Sequence, residues 1–314
     1  MLKQLVIDHL AKAKRPLIVV LGPTASGKTE LSLQVASFIS SLAPVGGEGQ
    51  GEGEIINADS RQLYKYLNIG TAKITAEEMR NIPHHLIDVL DPREEVTVSW
   101  YKEQAQRVID EILARHHVPI LVGGSMLYLS SIIDGLVPLP AADPKLRKKL
   151  ERAYDLDDGM TLHAELHAMD PETAASFDRR NKPYVVRAME IATMTGGKPS
   201  AQKKTSDVPY DLLLLAVSWP KDILDARIAV RTKQLLHSGW IEEVEGLLDR
   251  GYGSTDPAMK SHGYKEIMQW LSTEDRNKEE LEKVIISKTK KYAKRQMTWW
   301  KGDERIHWIG HVAC

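Results

Sequence analysis

The sequence has 314 residues, a formal net charge of -1, 42% hydrophobic and 27% charged residues, which suits a soluble globular protein of one large or two ordinary domains. A single cysteine, Cys314, excludes an intramolecular disulfide or a cysteine-built zinc site and points to a reducing, cytoplasmic compartment. No apolar run approaches the roughly 20 residues of a membrane helix, so no membrane role is expected.

Residues 1–15 place Leu2, Leu5, Val6, Ile7 and Leu10 among charges, an amphipathic helix without the apolar centre of a signal peptide. Residues 17–21 form a β-rich apolar run, and 29–40 have helical spacing. Residues 44–54 ("PVGGEGQGEGE") are rich in Gly and Glu with nothing to bury, so they read as a flexible surface loop. Short strands are predicted at 55–58 and 120–122. Between them, 100–115 is helical, with Ala105, Val108, Ile109 and Ile112 on one face. Strand, helix, strand, helix in this order predicts an α/β fold, a parallel sheet with helices on both faces.

From about Gly135 the pattern changes. Pro138, Pro140 and Pro144 mark a boundary, and charge-rich helical segments run to about Thr195. Residues 212–217 ("LLLLAV") return as a buried strand. The simplest arrangement is a core domain of residues 1–135 and 206–314 with an all-helical domain, 136–205, inserted between strands. Residues 222–300 are mostly helical. Within 287–301 stand Lys288, Lys290, Lys291, Lys294, Arg295 and Lys301 with no acid. This stretch reads either as a surface for an anionic partner or as a solvated helix face.

Gly22, Pro23, Thr24, Ala25, Ser26, Gly27, Lys28 and Thr29 match G-x-x-x-x-G-K-[ST], after a strand and before a helix. Glycines let the backbone curl its N–H groups inward, and the helix N-terminus adds partial positive charge. Lys28 reaches terminal phosphates in such a P-loop, and the Thr29 hydroxyl ligates a magnesium ion. The bland alternative is an empty glycine turn. Phosphate binding does not itself mean nucleotide hydrolysis, which usually needs a magnesium-binding Asp at the end of a second strand. Here 120–122 runs into Gly123, Gly124 and Ser125, and 212–217 into Ser218 and Trp219. The run that ends in an acid is 55–59, closing on Asp59 and followed by Ser60, Arg61 and Gln62. Ligands bind beyond the carboxyl ends of such strands, so Asp59 faces a phosphate pocket or, more plainly, caps a helix. The pairs His84–His85 and His116–His117 invite a metal reading, but adjacent residues of a helix do not share a face. A P-loop small-molecule kinase and a non-catalytic RNA-binding protein remain as rivals at this level.

In order along the chain stand "GPTASGKT" (22–29), "NADSRQLYKYLNIGTAK" (57–73), "PHHLIDVLDP" (83–92), "LVGGSMLYLSSIIDGL" (121–136), "RAMEI" (187–191) and "KSHGYKEI" (260–267). Together they resemble the tRNA dimethylallyltransferases, also called tRNA isopentenyltransferases, over nearly the whole chain. The likeness is to the bacterial type, since the C-terminal Cys/His zinc finger of many eukaryotic members has no counterpart. The resemblance implies transfer of a dimethylallyl group from its diphosphate to N6 of the adenosine immediately 3′ of the anticodon, with pyrophosphate leaving and no phosphoryl group moving.

By the same resemblance, Asp59 is base and adenine anchor. Thr24 and Arg231 assist at the diphosphate with Lys28, and Mg²⁺ sits on Thr29. Asp59, Ser60, Arg61, Gln62, Ser125, Arg147, Arg187, Ser261, His262, Gly263, Tyr264, Lys265 and Glu266 are implied tRNA contacts, with His262 and Tyr264 stacking on loop bases. Gly123 and Gly124 allow close backbone approach. The target adenine must leave its stack to react. Pro183 and Tyr184 depart from the family pattern, which has polar residues there. An adenylate isopentenyltransferase, acting on free nucleotides, is the nearest rival. The helical insert, Arg147 and the basic C-terminal region favour tRNA, and a monomer is expected.

Overall fold

The computed structural model describes residues 1–42, 51–136, 139–140, 142–202 and 206–310. They divide into two compact units. The first comprises Met1–Val96, Trp100–Ile133 and Val208–Cys314, and the second Thr97–Ser99 and Asp134–Asp207.

The first unit is built on a six-stranded sheet of β1 (Pro16–Leu21), β2 (Gly53–Asn57), β3 (His84–His85), β4 (Val118–Gly123), β5 (Asp211–Val217) and β6 (Ile306–Ile309). The strand order is β3-β2-β4-β1-β5-β6 and every pairing is parallel. Ile18 lies between Ile120 of β4 and Leu213 of β5. β1 and β4 are buried at every residue, as expected of parallel strands covered on both faces. Their unbroken apolar runs are therefore the signature of their position. Around the sheet are α1 (Leu2–Lys12), α2 (Lys28–Leu42), α3 (Val98–Ala114) and α4 (Met126–Ile133). Leu31, Val35, Ala36 and Ile39 of α2 pack with Ile18, Val20, Ile120 and Leu215 and with Val6 and Leu10 of α1.

The second unit holds α5 (Pro144–Asp155), α6 (Met160–Met169), α7 (Pro171–Ala175), α8 (Lys182–Thr195) and α9 (Pro199–Gln202). Its own core joins Leu150, Tyr154, Leu162, Leu166, Val185, Val186 and Met189. Asp143 caps α5 by accepting from the Lys145 and Leu146 amides, with Pro144 in the first turn. The first unit then resumes with α10 (Lys221–His237), α11 (Trp240–Asp249), α12 (Tyr264–Leu271) and the long α13 (Lys278–Trp300). Among the described residues, no helix is long and apolar enough to cross a membrane.

Two strands were not anticipated, β3 and β6, each too short to carry a periodic signal. The loop expected over 44–54 is corrected at its end. Residues 43–50 lie outside the described residues, but Gly53 and Glu54 belong to β2. A Cβ on Gly53 would stand 2.9 Å from the Ala36 Cα, so the glycine lets α2 close on the sheet. Glu54, 3% exposed, has its charge answered from three directions. Its carboxylate binds His85 Nε2 and His117 Nδ1, each at 2.6 Å, and accepts from Arg115 Nη2 at 2.9 Å. One member of each histidine pair is thus engaged in tying β2 to its two neighbours.

These bonds hold the Glu54 carboxyl below its usual range, against the opposing push of burial. A depressed carboxyl stabilises the fold above its unfolded-state value and loses that contribution as pH falls through the folded value. Glu54→Ala is therefore expected to cost about 1–3 kcal/mol at neutral pH. Urea melts of Glu54→Gln against the parent should converge as pH drops below the ordinary glutamate range. A gap that persists in acid would show that the carboxylate is not the source.

Candidate active site

β1 ends in the loop 22–27, and α2 begins at Lys28. Gly22, Ala25 and Gly27 have φ of 147°, 62° and 97°, conformations that curl the chain. Three side chains from distant segments fix that curl. Trp219 Nε1 donates to the Ser26 carbonyl at 2.7 Å, and Arg227 Nε to the Ala25 carbonyl at 2.9 Å. The Arg227 guanidinium also lies 4.5 Å over the Trp219 ring, a cation–π contact. Gln296 Oε1 accepts from the Thr24 amide at 2.9 Å. Two successive carbonyls are thus occupied by outside donors, which braces the loop's curvature from within the protein. Trp219, Arg227 and Gln296 were not among the sequence-derived candidates. The order Val217–Ser218–Trp219, a buried strand running into an indole, was the available signal for one of them. Lys28 Nζ reaches the Pro23 carbonyl at 3.4 Å, and the Ser26 hydroxyl is buried without a partner.

Asp59 lies just past the end of β2. Its amide donates to Asn57 Oδ1, and Asn57 Nδ2 donates to the carbonyls of Asp59 and Leu86. Asp59 Oδ1 accepts from the Arg61 amide at 2.9 Å, an Asx turn. No helix follows, so the capping alternative is replaced by a tight turn. Ser60 N donates to Ser125 Oγ at 2.9 Å, and Ser125 N to the Ala58 carbonyl at 3.2 Å. This close approach requires Gly123, where a Cβ would stand 2.2 Å from the Ala58 oxygen. Gln62 Nε2 donates to the carbonyls of Thr71 and Ala72. The loop 68–70 is held by Glu243, whose carboxylate accepts from the amides of Asn68, Ile69 and Gly70.

Two cavities meet here. One, of about 870 Å³, is lined by Thr24, Gly27, Lys28, Thr29, Asp59, Gln62 and Arg231. The other, of about 500 Å³, is lined by Ser60, Arg61, His262, Lys288, Lys291, Tyr292 and Arg295. Thr24, Ala25, Asp59, Thr71 and Arg231 line both. Desolvation in the cleft pulls Lys28 down to about 8; Asp59 opposes this and Arg231 adds to it. Burial likewise lowers Arg231, again opposed by Asp59. One carboxylate thus faces two poorly hydrated cations, a surplus of positive charge suited to a multiply charged anion. The donor set at this point is the Thr29 hydroxyl with a nearby carboxylate, and no group of three or more acidic, histidine or cysteine side chains stands ready for a metal among the described residues. A hydroxyl on a cavity that Asp59 also lines suits Mg²⁺ carried in with phosphate oxygens and waters.

The segment 261–266 is placed beside the second cavity, but it is braced internally. Tyr264 is fully buried, its hydroxyl donating to Glu243 Oε1 at 2.6 Å and its ring edge-on to Trp240. It lines the second cavity with its ring already packed against Trp240. The Ser261 hydroxyl donates to the Ala258 carbonyl. Glu266 binds Lys288 Nζ and the Gly263 amide, each at 2.6 Å. Gly263 has no room for a Cβ, which would stand 2.0 Å from Trp240 Cζ2. His262, its pKa lowered by burial, contacts Thr289 Oγ1 at 2.7 Å and still lines the cavity, while Lys265 is exposed.

In the second unit, Arg147 of α5 and Arg187 of α8 both bind Glu190, each at 2.7 Å. Glu190 is completely buried, whereas the two guanidinium-bearing side chains remain 40% and 29% exposed. Arg187 also donates to the Pro140 carbonyl. Tyr184 is 59% exposed and tilted against Phe177 at 5.6 Å.

A parallel sheet whose first strand turns through a glycine-rich phosphate loop into a helix defines a P-loop-like α/β protein. A model of the IPP transferase family matches residues 62–303, and the chain belongs to that family. It is 39% identical over 311 residues to the tRNA dimethylallyltransferase of Geobacter sulfurreducens, covering 98% of this chain and 96% of that one. It is 40% identical over 302 residues to tRNA dimethylallyltransferase 1 of Citrifermentans bemidjiense, covering 95% and 93%. Among solved structures it is similar to the tRNA isopentenylpyrophosphate transferase of Bacillus halodurans, at 35% identity and TM-score 0.67, covering 95% of this chain and 90% of that one. It is also similar to a eukaryotic dimethylallyltransferase acting on tRNA, at 27% identity and TM-score 0.76, covering 95% and 74%.

Lys28, lowered to about 8, should regain a full proton when an anion enters the loop. Pyrophosphate titrated calorimetrically near pH 8 in buffers of different ionisation enthalpy should show proton uptake, with affinity falling as pH rises above about 8. Heats that do not depend on the buffer would mean that Lys28 is already fully charged.

Proposed function

We propose that this transferase moves a dimethylallyl group from dimethylallyl diphosphate to N6 of the adenosine immediately 3′ of the anticodon in tRNAs, releasing pyrophosphate. The observation that carries this reading is the meeting of the two cavities at Thr24, Asp59 and Arg231. A phosphate loop opens on one side, and a wall bearing Arg61, Lys288, Lys291 and Arg295 stands on the other.

The diphosphate rests on the loop, where Lys28, Arg231 and the N-terminal amides of α2 stabilise negative charge as the allylic C1–O bond breaks. Both electrons of that bond leave with pyrophosphate. The Thr29 hydroxyl would help hold Mg²⁺ here, and the ion would supply further charge neutralisation. From the other side the extruded adenine presents N6 to the allylic carbon. Asp59 orients the amino group and takes its proton as the C1–N6 bond forms. The Asx turn and the Asn57 bonds hold that carboxylate at the junction. Ser60, Arg61, Gln62 and Ser125 shape the entrance used by the nucleotide, and 261–266 forms its braced rim. The exposed faces of Arg147 and Arg187 in the helical unit, and the basic side of α13, engage RNA phosphates. A monomer working where tRNA is found, in the cytoplasm, completes this reading.

The direct test is incubation with unmodified tRNA, magnesium and dimethylallyl diphosphate, followed by mass spectrometry of the digested nucleosides. A mass gain on adenosine at the position 3′ of the anticodon is expected. Turnover of ATP to ADP without it would instead make the protein a kinase.

Asp59→Asn should lower turnover by about 10²–10⁴-fold with the fold intact, because an amide cannot accept the proton. Turnover near the parent's would leave Asp59 as a turn residue only. Arg231→Ala should weaken dimethylallyl diphosphate binding while tRNA binding survives, as measured by calorimetry beside filter binding. Loss of tRNA instead would move Arg231 to the other side of the junction.

A further inference from the structure

Beyond the β1–β4 pairing at Leu21 and Gly123, the two halves of the junction are joined by side chains of α13: Tyr292, whose hydroxyl donates to the Gly124 carbonyl at 3.3 Å, and the buried Gln296, which alone reaches both halves. Gln296 of α13 is 1% exposed. Its Oε1 accepts from the Thr24 amide at 2.9 Å, and its Nε2 donates to the Gly124 carbonyl at 2.7 Å. Gly124 precedes Ser125, whose hydroxyl receives the Ser60 amide next to Asp59. The path from phosphate loop to carboxylate turn is therefore Thr24, Gln296, Gly124, Ser125, Ser60, Asp59, each junction a hydrogen bond or a peptide link. Space at Gly124 is set by the same residue, since a Cβ there would stand 2.3 Å from Gln296 Nε2.

We infer that Gln296 is a positioning residue that sets the spacing between the diphosphate loop and the Asp59 turn. It holds the leaving group and the nucleophile in line without touching either; the inference rests on the transfer reaction proposed above. The neutral amide suits the task, because one end must accept and the other donate, and both partners are main-chain groups. Loss of this link leaves each half largely intact. Trp219 and Arg227 still hold the loop at Ser26 and Ala25. What is lost is the alignment between halves, and misplacement of a reacting group by about 1 Å costs on the order of a hundredfold in rate.

The test uses Gln296→Met, which keeps length and volume and removes both bonds, and Gly124→Ala, which forces Gln296 out of place. With dimethylallyl diphosphate and tRNA saturating, and well below the melting temperature of each variant, we expect Gln296→Met to turn over about a hundredfold slower, with its affinities for either ligand within about threefold of the parent's. The double variant should be no slower than the slower single, because the two changes break one link. Turnover within about threefold of the parent's, a loss carried by the affinity for either ligand, or additive losses in the double variant would overturn the inference. If Gln296→Met does not fold, Gly124→Ala alone carries the same kinetic comparison. A parent enzyme that makes no prenylated adenosine refutes the proposed reaction instead, and that result is read before any variant.

Discussion

The site depends on a loop whose curl is braced by the protein's own side chains. A chain curled to aim amides at a ligand must send carbonyls the other way, and unpartnered carbonyls would favour a different curl. Here the carbonyls of Ala25 and Ser26 are met by Arg227 and Trp219, and the amide of Thr24 by Gln296. Arg227 stacked on Trp219 makes the two donors a single unit. The site is thus assembled by residues about 200 and 270 positions away in the chain, brought to β1 by the parallel packing of β5 and by α13. Sheet order is what converts sequence distance into a preorganised cradle.

The opposite wall follows the same logic with different chemistry. Glu243 collects the amides of Asn68, Ile69 and Gly70 together with the Tyr264 hydroxyl, so a single carboxylate fixes the loop that Gln62 then braces from inside. Glu266 does likewise for Gly263 and Lys288, and Glu190 for Arg147 and Arg187. In each case an acid, buried at Glu190 and Glu266 and half-buried at Glu243, is satisfied by main-chain amides, a hydroxyl or cations whose outer atoms remain in solvent. Burying a charge this way avoids the penalty of an unpaired ion. It also leaves a positively charged exterior beside the second cavity and in the helical unit.

The phosphate loop was legible because its residues must be contiguous: Gly22 to Thr29 form one turn, and local geometry dictates their types. Asp59 was legible for a related reason, as an acid ending an apolar run. β1, β4, β5 and α3 were found from hydrophobic pattern, with ends shifted by a few residues. The long-range partners were not legible. Gln296 sits in a helix whose basic neighbours dominate its composition, and nothing local distinguishes it from a surface glutamine. Glu54 was read as loop because a glutamate among glycines has no apolar signature; only the approach of His85, Arg115 and His117 makes it a strand residue. Tyr264 carries packing that its motif does not announce: beside its place on the second cavity, its ring meets Trp240 and its hydroxyl Glu243.

Charge at the junction explains why the loop alone does not define the reaction. Lys28 and Arg231 are both lowered by desolvation, and Asp59 opposes the shift in each. The free protein therefore holds two reluctant cations around one acid, a state that an incoming diphosphate relieves. In the proposed reaction the seated anion would take over as their counter-charge, with the Asp59 carboxylate already lining the second cavity. A phosphoryl-transfer site would place its acid against the metal and the phosphates. Here the acid stands where the two cavities meet, with the phosphate loop on one side and a basic wall on the other. The proposed alkyl transfer onto a nitrogen therefore draws on the position of this single carboxylate, shared by both cavities, more than on the loop itself.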